Sequence, residues 1–382
     1  MTSQKTYFEA ITDQSTLARA SQGQETLASL LQSQGWKSGV SKWGRQELIA
    51  HRAVCSRSVD YLPLLKRFKP TSAPNECIAA LVNGPGPLQL LLHKAEAQLV
   101  QHFHPSLGYV WAAMRPFLED DTDAADQPSR GRRERRAPER LEGGALSDEA
   151  DFESSPESGQ RPESSASTNS SFQSAGYTEK STGALLEEDT VQLASFFIRC
   201  VLNHTQATGK SEPFLEFRSK RLSYSFTVDM SSKLLFQAID DGGIQVSDYG
   251  RGEVHQVALL EGKRVLQVTK GRADIPDEVL GQMIGEALAL KQESPDTNRT
   301  PRTDFITILA ITHYLRFFNF SIPDDYVASY QALADPNSTQ TGLEGVLKIT
   351  STDWLDLKDA PHRGVVVSHL RALIRWANEE LA

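Results

Sequence analysis

Cysteine is scarce in this chain of 382 residues: only Cys55, Cys77 and Cys200 are present, far apart and without a CxxC pair. Such spacing argues against a disulfide framework or a structural zinc site and leaves the three as small buried hydrophobes. Long apolar runs are lacking too. None approaches the roughly 20 residues that span a bilayer. The opening MTSQKTYFEAITDQ has no basic start followed by an apolar stretch, so no secretory signal is read. The expectation is an intracellular protein, in nucleus or cytoplasm, with no membrane partner. The chain also offers no phosphate-cradling glycine loop and no hydrolase nucleophile elbow. Positive charge is in deficit, with a formal net charge of −9. That balance aids solubility and opposes loose binding to a phosphate backbone.

Apolar residues make up 39% of the chain, low for a wholly globular protein. The shortfall has an address. From Glu119 to about Gly183 the sequence is rich in Ser, Glu, Asp, Pro, Gly and Arg, as in ESSPESGQRPESSASTNSSFQSAG. Such a segment cannot offset its ordering entropy, which predicts a disordered linker over 119–183. Within it, RGRRERRAPER places arginines at 130, 132, 133, 135, 136 and 140. Three readings of this run stay open: a nuclear-import signal, a phosphate-binding patch, or a solvated block balancing its acidic neighbours. Ser155 precedes a proline and is a candidate phosphorylation site.

The stretch before the linker, 1–118, reads as a mainly helical N-terminal region. After the break at Asn83-Gly84-Pro85-Gly86, residues Leu88, Leu91, Leu92, Ala95 and Leu99 share one helix face behind Pro87. Trp36 and Trp43 flank WKSGVSKW; they suit a small helical core better than a base-stacking platform. His93, His102 and His104 lie close in sequence but lack the spacing of a helical metal-ligand pair.

The remaining stretch, 184–382, alternates helix and strand. A helix is expected from about Leu185 to Asn203, opened by Glu187, Glu188 and Asp189 at the positive end of its dipole. PFLEF and RLSYSFTV read as a hairpin around a Ser-Lys pair, and LLFQAI as a further strand. Asp240-Asp241-Gly242-Gly243 forms a turn, followed by a short strand IQV. VALL reads as a central strand buried on both faces and ending at Glu261-Gly262-Lys263, with RVLQVT continuing or pairing with it. A second helix covers VLGQMIGEALALKQ, with Val279, Met283, Glu286, Ala287 and Leu290 in register. DFITILAITHYLRFFNF gives one or two strands, and a last helix runs from about Ser368 to Leu381. The order predicts an α/β fold with a mixed sheet between helices.

Three of these residues make a chemical set. Glu261 and Lys263, two apart on a strand, project to the same face. Asp241 begins a neighbouring strand 20 residues earlier. Asp240, Asp229 and Asp248 compete with it for the same place. Two carboxylates suit Mg2+, and an ammonium beside them suits a developing negative charge on a phosphoryl group. Charges at the end of an apolar strand seldom add stability by themselves. As a surface turn with an exposed ion pair, the trio would instead contribute little.

The pattern Asp…Glu-x-Lys, within helix–strands–helix–strands, resembles the PD-(D/E)XK, or restriction-endonuclease-like, nuclease superfamily. The stretch DDGGI…VALLEGKR…LGQMIGEALAL is most similar to its uncharacterised fungal members, over roughly residues 185–325. The resemblance implies Mg2+-dependent hydrolysis of DNA or RNA. It makes Asp241 and Glu261 metal-binding acids and Lys263 the catalytic lysine. Glu188 or Glu187 matches the acid of the first helix, and Gln282 a polar residue on the second. No proline precedes the acid; Asp240 stands there. Nucleic acid is thus one expected partner, with Arg218, Lys220 and Arg221 as a local basic cluster. Against it, 184–382 carries 20 basic and 27 acidic side chains. The alternatives are an inactive nuclease-fold scaffold, or a regulatory protein of unrelated fold that gathers partners through its linker and N-terminal region.

Overall fold

The computed structural model describes residues 5–33, 38–118, 185–207, 209, 213–229, 234–248, 253–269, 272–293, 302–334 and 344–380. The expected linker with its arginine run, Ser155 and Trp36 therefore lie outside the described residues.

The helices are α1 (Tyr7–Ala10), α2 (Gln14–Ala20), α3 (Leu27–Gln32), α4 (Arg45–Ala50), α5 (Glu76–Asn83), α6 (Glu96–His102) and α7 (Pro105–Met114) in the N-terminal region. They are followed by α8 (Glu187–Thr205), α9 (Asp277–Glu293), α10 (Asp324–Ala334) and α11 (Ala360–Glu380). The strands are β1 (Ala53–Cys55), β2 (Phe214–Arg218), β3 (Ser223–Asp229), β4 (Leu234–Ile239), β5 (Gly243–Asp248), β6 (Glu253–Lys263), β7 (Val268–Thr269), β8 (Arg272–Ala273), β9 (Asp304–Ile311), β10 (Tyr314–Ser321), β11 (Leu347–Ser351) and β12 (Leu355–Asp356). One mixed sheet runs β1-β11-β10-β9-β6-β5-β2, with β12 also paired to β10. Pairing is parallel at β1–β11 and β6–β9 and antiparallel along the rest of that path. The chain is thus an α/β protein with a mixed multi-stranded sheet, helices on both faces and an N-terminal helical region.

Period-two alternation sorts the strand residues into two cores. In β9, Ile306, Ile308 and Ala310 join α8, α11, α5 and α7 on one face. Phe305, Leu309 and Ile311 point the other way, to α9, the β3–β4 hairpin and the first four helices. The N-terminal region does not stand apart from this sheet. Its strand β1 extends the sheet beside β11, and its residues enter both cores.

The second-half helices follow their sequence signals. In α8, Asp189 Oδ2 accepts the Leu186 N–H at 2.8 Å, and three acids occupy the first turn, where N–H groups need acceptors. The last helix starts earlier than its apolar stripe suggests. It opens at Ala360 with Pro361 in the first turn, where proline has no hydrogen bond to forfeit.

Several sequence expectations are corrected. PFLEF and RLSYSFTV do not pair with each other: β2 lies against β5, and β3 pairs with β4 in a separate two-stranded sheet. The short Ser-Lys link turns the chain because Arg218, at its base, is drawn inward to Asp240. RVLQVT neither continues β6 nor pairs with it; Val268–Thr269 forms a small hairpin with Arg272–Ala273. The helix expected after Pro87 is split into a 3-10 turn, Leu88–Leu91, and α6. Arg115 Nη1 donates to the Lys94 carbonyl at 2.7 Å, and Gln98 Oε1 accepts the Ala95 N–H at 2.8 Å, so backbone groups at the break are satisfied from elsewhere. Trp43 is fully buried, stacked on His51 and edge-on to Phe236, and so belongs to the core.

Candidate active site at the end of β6

The turn before β5 sets the site. Gly242 has φ +140°, a conformation that residues with a Cβ resist, and its Cβ would stand 2.8 Å from the Arg218 carbonyl oxygen. Through this turn the ladder with β6 continues past the strand itself: Asp241 N–H donates to Leu260 O at 3.1 Å, and Leu260 N–H to Gly242 O at 2.9 Å. The two adjacent aspartates consequently face different environments.

Asp240 is fully buried and saturated. Arg218 donates to it from Nη1 at 3.0 Å and Nη2 at 2.5 Å, Tyr224 from its hydroxyl at 2.7 Å, Leu222 N–H at 3.0 Å and Gly242 N–H at 3.2 Å. With its lone pairs taken, Asp240 braces the turn and has no capacity left for a ligand. Asp241 is the acid that meets β6. Its Oδ2 accepts the Gly262 N–H at 2.9 Å, and its Oδ1 pairs with Arg221 Nη2 at 2.9 Å. The side chains of Asp229 and Asp248 lie outside what the structure describes.

Glu261 is buried, with its Oε1 receiving the ammonium of Lys263. Burial pushes its carboxyl up to about 7, opposed by the Lys263 charge and reinforced by that of Asp241. Burial works against the Lys263 charge as well. The carboxylates of Glu261, Glu187 and Asp241 outweigh it and hold the ammonium above its ordinary value. Gly262 points to the opposite face, against α8. A Cβ there would lie 2.4 Å from Val191 Cγ2, 3.4 Å from Asp241 Oδ2 and 3.7 Å from Glu187 Cγ. The middle position of Glu-Gly-Lys is therefore a contact point of strand, helix and turn.

Of the two first-helix candidates, Glu187 is the one that reaches this strand end. Its charge acts on Lys263, and its side chain lies beside Gly262. Glu188, the other candidate, is exposed, one helical position round from that contact. Gln282 of α9 donates Nε2 to Glu286 Oε1 at 3.1 Å. Glu286 is a site residue that the resemblance did not supply. It is fully buried, and burial, followed by the charge of Glu261, drives its carboxyl well above the ordinary range. Its sequence signal is a glutamate in the apolar stripe of a helix. Of the expected basic cluster, Arg218 is consumed by Asp240, while Lys220 and Arg221 remain exposed.

Glu261 Oε2 and Glu286 Oε2 are buried with no hydrogen-bond partner. Burial and the charge of Glu261 disfavour charge on Glu286, whereas the Lys263 ammonium favours it on Glu261, so one proton held by Glu286 relieves the pair. Carboxylate oxygens without donors are also what a hard divalent cation takes. Glu261 fits Mg2+ in this respect, whereas the Asp241 oxygens are held by the Gly262 N–H and by exposed Arg221, which a metal would displace. Among the described residues no helix is long and apolar enough to cross a membrane. No family model, curated protein or solved structure matches the chain.

Proposed function

We propose that this site hydrolyses phosphodiester bonds of nucleic acid with Mg2+, on a fold of the restriction-endonuclease-like kind. The observation that carries the reading is the meeting of Asp241 with the Glu261-Gly262-Lys263 strand end. The Asp241 carboxylate is anchored on the backbone N–H between the other two residues. In this reading Asp241 and Glu261 hold the metal, and Glu187 lies at its margin. When bound, Mg2+ lowers the pKa of a coordinated water and neutralises charge on the phosphoryl group.

The chain's own residues supply the rest. Lys263, kept charged by its three acidic neighbours, stabilises negative charge on the phosphoryl oxygens. Arg221, exposed and paired with Asp241, offers a fork that matches a phosphate. Gln282 and Glu286 are positioning residues. The glutamine fixes the Glu286 carboxyl, and a proton held there relieves its repulsion with Glu261.

A second reading, a nuclease-fold scaffold without catalysis, is favoured by one specific feature. Both acids are already paired within the chain, Asp241 with Arg221 and Glu261 with Lys263. The acidic balance of 184–382 points the same way.

Incubation of the full chain with labelled single- and double-stranded DNA and RNA, in Mg2+ or Mn2+, separates the two. Cleavage that disappears in both Asp241→Asn and Lys263→Ala supports the nuclease. Cleavage that survives Lys263→Ala removes the role given to the lysine. No cleavage together with no calorimetric Mg2+ or Mn2+ binding leaves the scaffold.

A further inference from the structure

Away from the β6 site, folding gathers the sulfur that the sequence scatters. Cys77 lies in α5, while Cys200 and His204 lie one turn apart in α8. At i and i+4 these two share a helix face, and α5 packs against it. One ligand atom from each residue, two thiol sulfurs and a ring nitrogen, lies within 4.8 Å of the others. A tetrahedral zinc with Zn–S near 2.3 Å and Zn–N near 2.0–2.1 Å needs these atoms about 3.5–3.8 Å apart. The largest separation therefore has to close by only about 1 Å.

The surroundings suit a bound ion. Cys200 is fully buried, and Cys77 is half-buried, which gives access from solvent. His204 Nε2 lies 3.1 Å from the Ser106 hydroxyl, the kind of outer contact that orients a ligating imidazole. The His204 carbonyl accepts the Asn75 side chain, the N-cap of α5, which ties the two ligand-bearing helices together at this end. The His104 ring stands edge-on to that of His204, centroids 4.6 Å apart.

We propose that Cys77, Cys200 and His204 form a binding site for a thiophilic divalent cation, zinc in the first instance, joining α5 to α8. Two thiolates and an imidazole select zinc over magnesium or calcium, which take oxygen ligands. A water completes the fourth position. Such a site couples the N-terminal region to the first helix of the second half, on the sheet face opposite α9. It is independent of the β6 carboxylates and of any activity there.

The test uses the full chain, reduced and freed of metal, titrated with Co2+ as a spectroscopic stand-in. One equivalent per chain is expected to produce a thiolate-to-cobalt charge-transfer absorption and intense tetrahedral visible bands. Zn2+ should bleach both, and Mg2+ should leave them untouched. Cys77→Ser, at the half-buried position, should abolish the charge-transfer band while circular dichroism stays native. Cys200→Ser should do the same if it folds, and His204→Ala should weaken binding at least tenfold. Absence of the band in the reduced native chain overturns the site, as does a band that persists in Cys77→Ser. Oxidation that joins Cys77 to Cys200 in a chain that never bound Co2+ also overturns it and makes the pair a redox couple.

Discussion

The Asp241 carboxylate accepts the backbone N–H of Gly262 at 2.9 Å, so the residue between Glu261 and Lys263 is held by the acid from the neighbouring turn. Register between β5 and β6 and the assembly of the three polar side chains are one structural event. If Asp241 slipped by one residue, Asp240 would face Gly262 and the Arg218 fork would lose its partner.

Gly262→Ala tests that event. A methyl group at this position meets Val191 Cγ2 at 2.4 Å, so α8 has to retreat from β6. Overpacking of this kind costs about 1–3 kcal/mol. Denaturant unfolding should show that loss with little change in slope. Any cleavage activity should fall further than stability does, because Glu187 moves with the helix and the new methyl stands 3.4 Å from Asp241 Oδ2. A variant as stable as the parent would mean that α8 does not rest on this glycine.

Asp240 and Arg218 make a second, purely structural prediction. Both side chains are buried, Arg218 7% and Asp240 0% exposed. Removing one member leaves an uncompensated charge, at about 3–5 kcal/mol. Arg218→Met should be destabilised by that order, and Asp240→Asn combined with Arg218→Met should recover part of it. Strict additivity of the two losses in a double-mutant cycle would deny the coupling.

The buried histidines set an acid limit on stability. His51 and His369 are each held down to about 4 by burial. His369 Nδ1–H donates to the Val365 carbonyl and Nε2 accepts the Leu62 N–H, a pairing that only the neutral ring can make. Between about 4 and the ordinary 6.5 the unfolded chain takes up protons that the native chain refuses. Stability should therefore rise with pH across this window and fall on acidification, by up to about 1.4 kcal/mol per pH unit for each ring. His369→Gln should flatten the profile between pH 4.5 and 6.5, whatever it does to stability at neutral pH. An unchanged slope would show that the ring is not buried neutral.

Much of the second half was legible because periodicity there is strong. The helices at Glu187 and Asp277, the central strand through Val257–Leu260 and the acid–Gly–Lys strand end all follow from spacing. What sequence spacing could not carry was pairing across distance. The β2–β3 link has the length of a hairpin turn, yet Arg218 is committed to Asp240 and sends the two strands to different sheets. Likewise Cβ atoms at Gly281 and Gly285 of α9 would strike Trp43 and Val40. Those glycines form the seat of the N-terminal region on α9, and only the partner segment explains them. Choosing between Asp240 and Asp241 needed the same kind of knowledge, since the two differ in which neighbours approach them and not in their own local sequence.

Glu286 gives the sharpest test of how the site is charged. It is fully buried beside Glu261, and its carboxyl is driven well above the usual range by burial and by that neighbour. The native chain therefore holds a proton that the unfolded chain releases above its ordinary value near 4.5. From there upward, until the raised native value is reached, the native state binds more protons and stability falls as pH rises. Glu286→Gln removes this penalty without removing the contacts. The amide oxygen still accepts from Gln282, and its neutral NH2 group takes the place of the protonated acid beside Glu261. Unfolding measured at pH 5 and at pH 8 should find the variant gaining stability relative to the parent as the pH rises. Equal destabilisation at both pH values would mean that Glu286 is ionised in the native chain and that its charge, not its proton, is what Glu261 and Gln282 are arranged around.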